Sequence, residues 1–349
     1  MSTTTASAGR PLCGVLLVVS LLFGGSGCIE GTLGLSDSLN QLSRYRSAIP
    51  DPQTLAIEVP HDEGRSNLRA GERGELYLMT YRISRGVNAH VGALLLTLRT
   101  IVQLPPTRVE RNVRIWGPTE PRGLEPVSWR LMLTEGEPGR FVIELAGRPK
   151  DSPADTPWTP IISGESSLHG DALSSVGTLV LDFDAHRSIN PGEVRQGAIS
   201  VAWDTTRANR GVDVAWMGFV DEWRHPFPDA TYAYEEAPSG AGTFVYSAYH
   251  DIHGGDPQRR ALERFDVRSA WQADGQGRAL ATLAGEDIEA DLSALGSPEA
   301  QVTLHECWGR TFGVVYADTL PAALRGALYP EIGFESSCAL TVEQLPAAP

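Results

Sequence analysis

Cysteine is scarce in this chain, with four in 349 residues, and after the first thirty residues no apolar run is long enough to cross a bilayer as a helix. Lysine is almost missing, since Lys150 is the single example and arginine supplies nearly all positive charge. The formal net charge of −14 argues against nucleic acid or anionic lipid as a general partner, because both attract a positive surface. No C-x-x-C pair, phosphate-binding glycine loop or Gly-x-Ser-x-Gly elbow occurs; Gly164-Glu165-Ser166-Ser167-Leu168 lacks the second glycine. His305-Glu306 opens like H-E-x-x-H, but Gly309 stands where the second histidine belongs. No cofactor is therefore expected, and no residue is assigned a catalytic role.

What is present begins with Arg10 to Cys28, RPLCGVLLVVSLLFGGSGC. One positive residue, a short apolar run from Leu12 to Phe23 and a small-residue end have the shape of a secretory signal peptide. Ser26-Gly27-Cys28 resembles the bacterial lipoprotein signal, in which the thiol of the new first residue, here Cys28, carries acyl chains that bind a membrane. Ile29 is not the aspartate that retains such proteins at the inner membrane, which favours the outer one. The expected organisation is a signal peptide at 1–27, a lipidated tether at 28–53 and one β-rich domain at 54–349, with 262–349 as an alternative C-terminal subdomain. With Cys13 removed and Cys28 acylated, Cys307 and Cys338 remain, and an isolated pair in an exported protein forms a disulfide.

Periodicity sets the fold class. LAIEVP (Leu55 to Pro60) reads as a first strand and the polar run His61 to Gly74 as a loop. Ile83, Val87, Val91, Leu94, Leu95, Leu98, Ile101 and Val102 recur at helical spacing, with Arg85, Asn88, Arg99 and Gln103 opposite. Pro105-Pro106 ends that helix. It would lay its stripe on a sheet; a lid over a cavity or a partner-binding face would look alike. From Val109 onward the period becomes alternating, in about a dozen runs such as VSWRLMLT, RFVIELAG, GTLVLDFDA, GAISVAWDTT and QVTLHECW. The fold class is mainly β: an antiparallel meander closed as a barrel or strongly curved, carrying one amphipathic helix.

Gly86-Val87-Asn88, Pro105-Pro106-Thr107, Trp116-Gly117-Pro118, Asp182-Phe183-Asp184 and the late Cys307-Trp308 with Cys338 together resemble lipid-anchored β-rich proteins of the bacterial envelope. That resemblance implies the same architecture over roughly residues 80 to 340 and brings no activity.

Candidate chemistry is thin. His250, Asp251 and His253 are the best metal-like group, although in a strand the two histidines point to opposite faces and a solvated hairpin end explains them. Asp182 and Asp184 would share a strand face and could bind calcium or act as acid and base; the simpler reading has them face water while Leu179, Leu181 and Phe183 face the core. Asp221-Glu222 is a second acidic pair. Trp203, Trp216, Trp223, Tyr232, Tyr234, Tyr246 and Tyr249 cluster on consecutive strands, and Trp203, Trp216, Tyr232, Tyr234 and Tyr246 are candidates to line a groove, core packing being the other explanation. The expected function is a membrane-anchored structural or binding module for a hydrophobic or glycan ligand. A secreted hydrolase and a surface protein-interaction module are the alternatives.

Overall fold

The computed structural model describes residues 42–61, 74–119, 126–170, 174–220, 229–253, 256, 258–259, 261–325 and 331–347. The signal peptide, Cys28, the first part of the tether, the loop after His61, Asp221-Glu222 and Trp223 lie outside the described residues. Fifteen strands pair in chain order into one antiparallel sheet. They are β1 (Arg108–Val109), β2 (Val113–Trp116), β3 (Val127–Glu135), β4 (Arg140–Pro149), β5 (Thr159–His169), β6 (Ser174–Asp182), β7 (Gln196–Asp204) and β8 (Arg210–Val220). The order continues with β9 (Ala230–Glu236), β10 (Gly242–His250), β11 (Glu263–Trp271), β12 (Gly277–Ala284), β13 (Gln301–Trp308), β14 (Val314–Leu320) and β15 (Ile332–Gly333). Among the described residues, besides a helical stretch at 42–47, the α-helices are α1 (Pro52–Leu55), α2 (Glu75–Gln103), α3 (Phe183–Ile189) and α4 (Glu286–Ala294).

The meander is as expected, but the sheet does not close into a barrel: the order ends at β1 and β15 without pairing them. A barrel removes edges and buries its inner face on itself; here that face is covered by α2, so closure is not needed for burial. Alternation decides which side chains turn inward. Leu131 stands opposite Leu145 and Leu133 opposite Ile143; Leu179 pairs Val201, which pairs Val214, which pairs Tyr232. All belong to one core with Leu95 and Leu98 of α2, both 0% exposed. Each such leucine contributes roughly 1.5–3 kcal/mol by leaving water.

Helix α2 starts at Glu75 rather than Ile83 and buries Leu76, Tyr77 and Thr80 in its added turns. Its N-cap, Gly74, offers no side chain. The missing acceptor comes from β13: the Glu306 carboxylate receives the N–H groups of Leu76 (3.1 Å) and Tyr77 (2.9 Å). At the other end Arg46 donates to the carbonyls of Val102 (3.0 Å) and Gln103 (2.8 Å), placing a cation where the helix dipole is negative.

The segment before α2 departs from expectation twice. Residues 42–47 are helical, and Tyr45, Ala48 and Ile49 are buried in the core, so the described part of the tether is integral to the domain. Residues 56–60 form no strand. Asn88 replaces a ladder there, its amide accepting from Ile57 N–H (2.8 Å) and donating to Ile57 C=O (2.9 Å).

The run GTLVLDFDA is not one strand either. Asp182 ends β6 and caps α3, accepting from Ala185 N–H at 2.8 Å. The turn keeps Phe183 in the core, as expected, while Val127, Ile161 and Ile189 form a small satellite cluster. Beyond α3, Glu193 is nearly sealed and bridges His186 (2.7 Å) and Arg195 (2.7 Å). Burial alone would raise its pKa, but the hydrogen bonds from His186 and Arg195 outweigh it and hold the carboxyl well below the usual range. A depressed carboxyl stabilises the fold fully above its unfolded pKa, about 4.3, and the gain is lost as pH falls toward the lower folded value. Wild-type protein is accordingly expected to lose more urea resistance than Glu193→Gln on acidification from about pH 5 to about pH 3, and equal losses would contradict the clasp.

At the far end of the face that α2 covers, α4 packs Ile288 and Leu292 on Val302, with Leu283 and Leu304 beside them. The C-terminal segment lays Leu340 and Leu345 over Ala270 and Leu280, held by the expected Cys307–Cys338 disulfide. No helix among the described residues is long and apolar enough to cross a membrane.

Candidate functional site

Along α2 one stripe is polar at spacings of four: Thr80, Ser84 and Asn88. Thr80 donates back to the Leu76 carbonyl (2.9 Å) and meets the Ser269 hydroxyl at 2.6 Å, a pairing that makes a buried hydroxyl tolerable. Ser84 lies buried on the same line, and Asn88 holds residue 57 as described above. Ser84 and Asn88 mark the side of α2 on which the interior opens. A cleft of about 740 Å³ lies there, between α2, residues 57–61 and the ends of the β9–β10 and β11–β12 hairpins.

Its walls carry Glu58, His61, Tyr81, Ser84, Arg85, Asn88 and Glu236. The Tyr81 ring is the aromatic surface, with the His61 ring centroid 5.3 Å away and the Arg85 guanidinium 5.7 Å from its centroid. Tyr77 supports it from behind; its hydroxyl donates to the Pro60 carbonyl at 3.0 Å and its ring stacks on Phe312 at 4.8 Å. Glu236 is already engaged: Arg210 reaches it through Nη2 (2.5 Å) and Nε (3.1 Å), and the Tyr234 hydroxyl donates to it. Burial and that bond raise the Tyr234 pKa. Glu58 and Arg85 are exposed and bring one negative and one positive group to the rim. The arrangement suits a ligand with many hydroxyls or amides: a flat aromatic face, an amide, a carboxylate and a guanidinium within one cleft.

The aromatic side chains expected to line a groove do not reach this cleft. Trp203, Trp216, Tyr232 and Tyr234 are buried in the core and Tyr246 is packed against it. Trp203 donates its indole N–H to the Ser175 hydroxyl (2.9 Å) and lies flat over Gly177, where a Cβ would sit 2.3 Å from the ring. Burial raises the Tyr246 pKa to about 12. Sequence could place these residues on adjacent strands, not tell the helix-covered face from an open one.

The metal-like trio is split. His250 ends β10, and burial lowers its pKa; Asp251 is exposed and accepts from the His253 N–H at 3.0 Å. His253 instead meets Glu263 and Asp287, two carboxylates that no motif joins to it. Asp184 is exposed on α3 while Asp182 caps it, so the two do not share a strand face. Of the cleft residues, Arg85 and Asn88 were legible as the polar side of α2, and the others carried no signal that joined them to it.

Comparison with protein-family models, with curated proteins and with solved structures finds no match to this chain.

Proposed function

We propose that this chain is an exported lipoprotein of the bacterial envelope, attached through Cys28 and favouring the outer membrane, that binds a small glycan in the cleft beside Tyr81. One observation carries the ligand: the cleft is walled by Tyr81, Asn88, Glu58 and Arg85, an aromatic face among planar hydrogen-bonding groups. A hydrophobic ligand is the weaker choice, because the large apolar side chains are spent on the core around α2. That core gathers residues from β2 to β13 about one helix, which supports a strongly curved sheet as the scaffold. A disulfide suits an oxidising compartment outside the cytosol, and supports export.

The binding test uses the chain from residue 29 onward, titrated calorimetrically with soluble chitooligosaccharides, maltooligosaccharides and peptidoglycan fragments. Saturable binding to one of these is expected, weakened about tenfold or more by Tyr81→Ala, a loss of about 1.4 kcal/mol. Binding of none, or binding that ignores Tyr81→Ala, would refute the glycan reading. For the anchor, Cys28→Ser should move the protein from the membrane fraction to the soluble one.

A further inference from the structure

We infer that His253, Glu263 and Asp287 form a binding site for a divalent transition-metal ion, with zinc the best match. The three come from different elements: His253 from the turn after β10, Glu263 from the first position of β11, and Asp287 from the first turn of α4. Their ligand atoms all lie within 4.8 Å of one another. His253 Nδ1 is 4.0 Å from Glu263 Oε1 and 3.8 Å from Asp287 Oδ2.

Each of these three atoms is buried and makes no hydrogen bond. Glu263 is the most telling, because its side chain is 0% exposed and still turns one oxygen toward the other two groups. A buried carboxylate oxygen is ordinarily satisfied by a donor. The competing account is an internal ion pair in which a charged His253 serves both carboxylates. It would draw the atoms to about 2.7–3.2 Å, the range of a hydrogen bond, and both gaps are wider. Donors bound about 2.0–2.2 Å from one zinc ion in a tetrahedron stand about 3.3–3.6 Å apart, so the three groups need only draw together, His253 by a few tenths of an ångström toward each carboxylate, for one ion to sit among them.

The donor chemistry narrows the ion. Two carboxylates and a neutral imidazole present two negative charges, which one divalent cation balances. Magnesium and calcium take oxygen ligands, so the imidazole disfavours them; zinc takes the mixture. The surroundings orient each donor. Glu263 Oε2 accepts from the Ile252 N–H at 3.0 Å, which leaves Oε1 to face inward. His253 Nε2 lies 3.4 Å from Asp291 Oδ2, so a proton on Nε2 keeps the Nδ1 lone pair free, the arrangement in which a carboxylate backs a metal-bound histidine. Arg259 does not take the ligand oxygen: it pairs with Asp291 at 2.6 Å, donates to the Asp287 main-chain carbonyl at 3.2 Å, and stands 3.9 Å from Asp287 Oδ1. Side-chain exposures of 20% for His253 and 15% for Asp287 place the site just beneath the surface. An ion there would tie the β10–β11 connection to α4.

The test is a titration of untagged, chelator-treated chain from residue 29 onward with zinc alone, in competition with a chromophoric chelator. One tight equivalent is expected. His253→Ala and Asp287→Asn should each weaken it at least about 100-fold, and Asp291→Asn, which removes the orienting carboxylate, about tenfold. Both altered ligands are partly exposed, and circular dichroism of the metal-free variants confirms that they fold. Wild-type protein should also melt at higher temperature with zinc than without it. No stoichiometric zinc on the wild type, or an affinity unchanged in either His253→Ala or Asp287→Asn, would overturn the site.

Discussion

Replacing Glu306 with alanine is expected to lower folding stability by about 3–5 kcal/mol, measured as the change in free energy from urea denaturation followed by circular dichroism. Glu306 is 0% exposed, and its two oxygens accept the N–H groups of Leu76 and Tyr77. A helix leaves its first four N–H groups without internal partners, and a side-chain acceptor at the N-cap normally meets some of them. Gly74 has no side chain to offer, so the acceptor arrives from a strand more than two hundred residues away. Truncation strands two buried donors at about 1–3 kcal/mol each and removes a negative charge from the positive end of α2, where it contributes up to about 2 kcal/mol.

The same contact explains Gly74. A Cβ there would sit 2.2 Å from Glu306 Oε1, and that oxygen cannot retreat without giving up the Tyr77 N–H. Gly74→Ala should thus cost much of what Glu306→Ala costs. The two should also be far from additive, because both destroy one arrangement. Glu306→Gln, which keeps one acceptor oxygen, should fall between wild type and alanine. A loss under about 1 kcal/mol for Glu306→Ala would place it among ordinary surface substitutions and remove the carboxylate from this role.

This cap also shows where sequence reading ran out. Local pattern was enough for the strands, because alternation and the turns between them are written in adjacent residues; it was enough for α2 from Ile83 onward, where Val87, Val91, Leu94 and Leu98 repeat. The first turns of α2 were missed because Glu75 to Arg82 has no cap of its own, and the group that secures them is remote. LAIEVP has the composition of a strand, yet its backbone is satisfied by Asn88, which no local rule anticipates. Asp182 and Asp184 alternate like strand residues until Asp182 caps a helix instead. At the candidate sites, Arg85 and Asn88 looked like the wet side of a packed helix, and Tyr81 lay before the first residue of its repeat. Glu263 and Asp287 lie 10 and 34 residues beyond His253, with no motif joining them. Only pairing of β10 with β11, His250 opposite Glu263, brings that neighbourhood together.

The disulfide was legible because only Cys307 and Cys338 lie beyond the N-terminal stretch read as a signal, but its consequence depends on what it clasps. Its loop spans a sequence separation of 31, for which chain entropy gives about 3–4 kcal/mol. Cys307 lies opposite Arg278 across the β12–β13 pair. Arg278 is 1% exposed, and the segment that Cys338 anchors is what buries it: Glu335 pairs with its Nη2 at 2.5 Å and the Leu340 carbonyl accepts from its Nη1 at 3.2 Å. Leu340 and Leu345 cover Ala270 and Leu280 from the same segment. Cutting the covalent link therefore frees a strap that shields a cation and two apolar side chains on the outer face of the sheet. The inner face should hold, since Trp308 packs on Tyr77 and donates to the Gly275 carbonyl at 2.9 Å independently of the strap. In the Cys307→Ser, Cys338→Ser double variant, stability should fall by about 3–4 kcal/mol. Hydrogen exchange should quicken at residues 334–347 well before it does in α2. Arg278→Met in the oxidised protein should cost less, about 1–2 kcal/mol, because the Glu335 it abandons is more than half exposed and can return to water. Equal urea midpoints for oxidised and double-variant protein, or exchange that quickens uniformly through α2 and the strap, would show that the C-terminal segment is not held in this way.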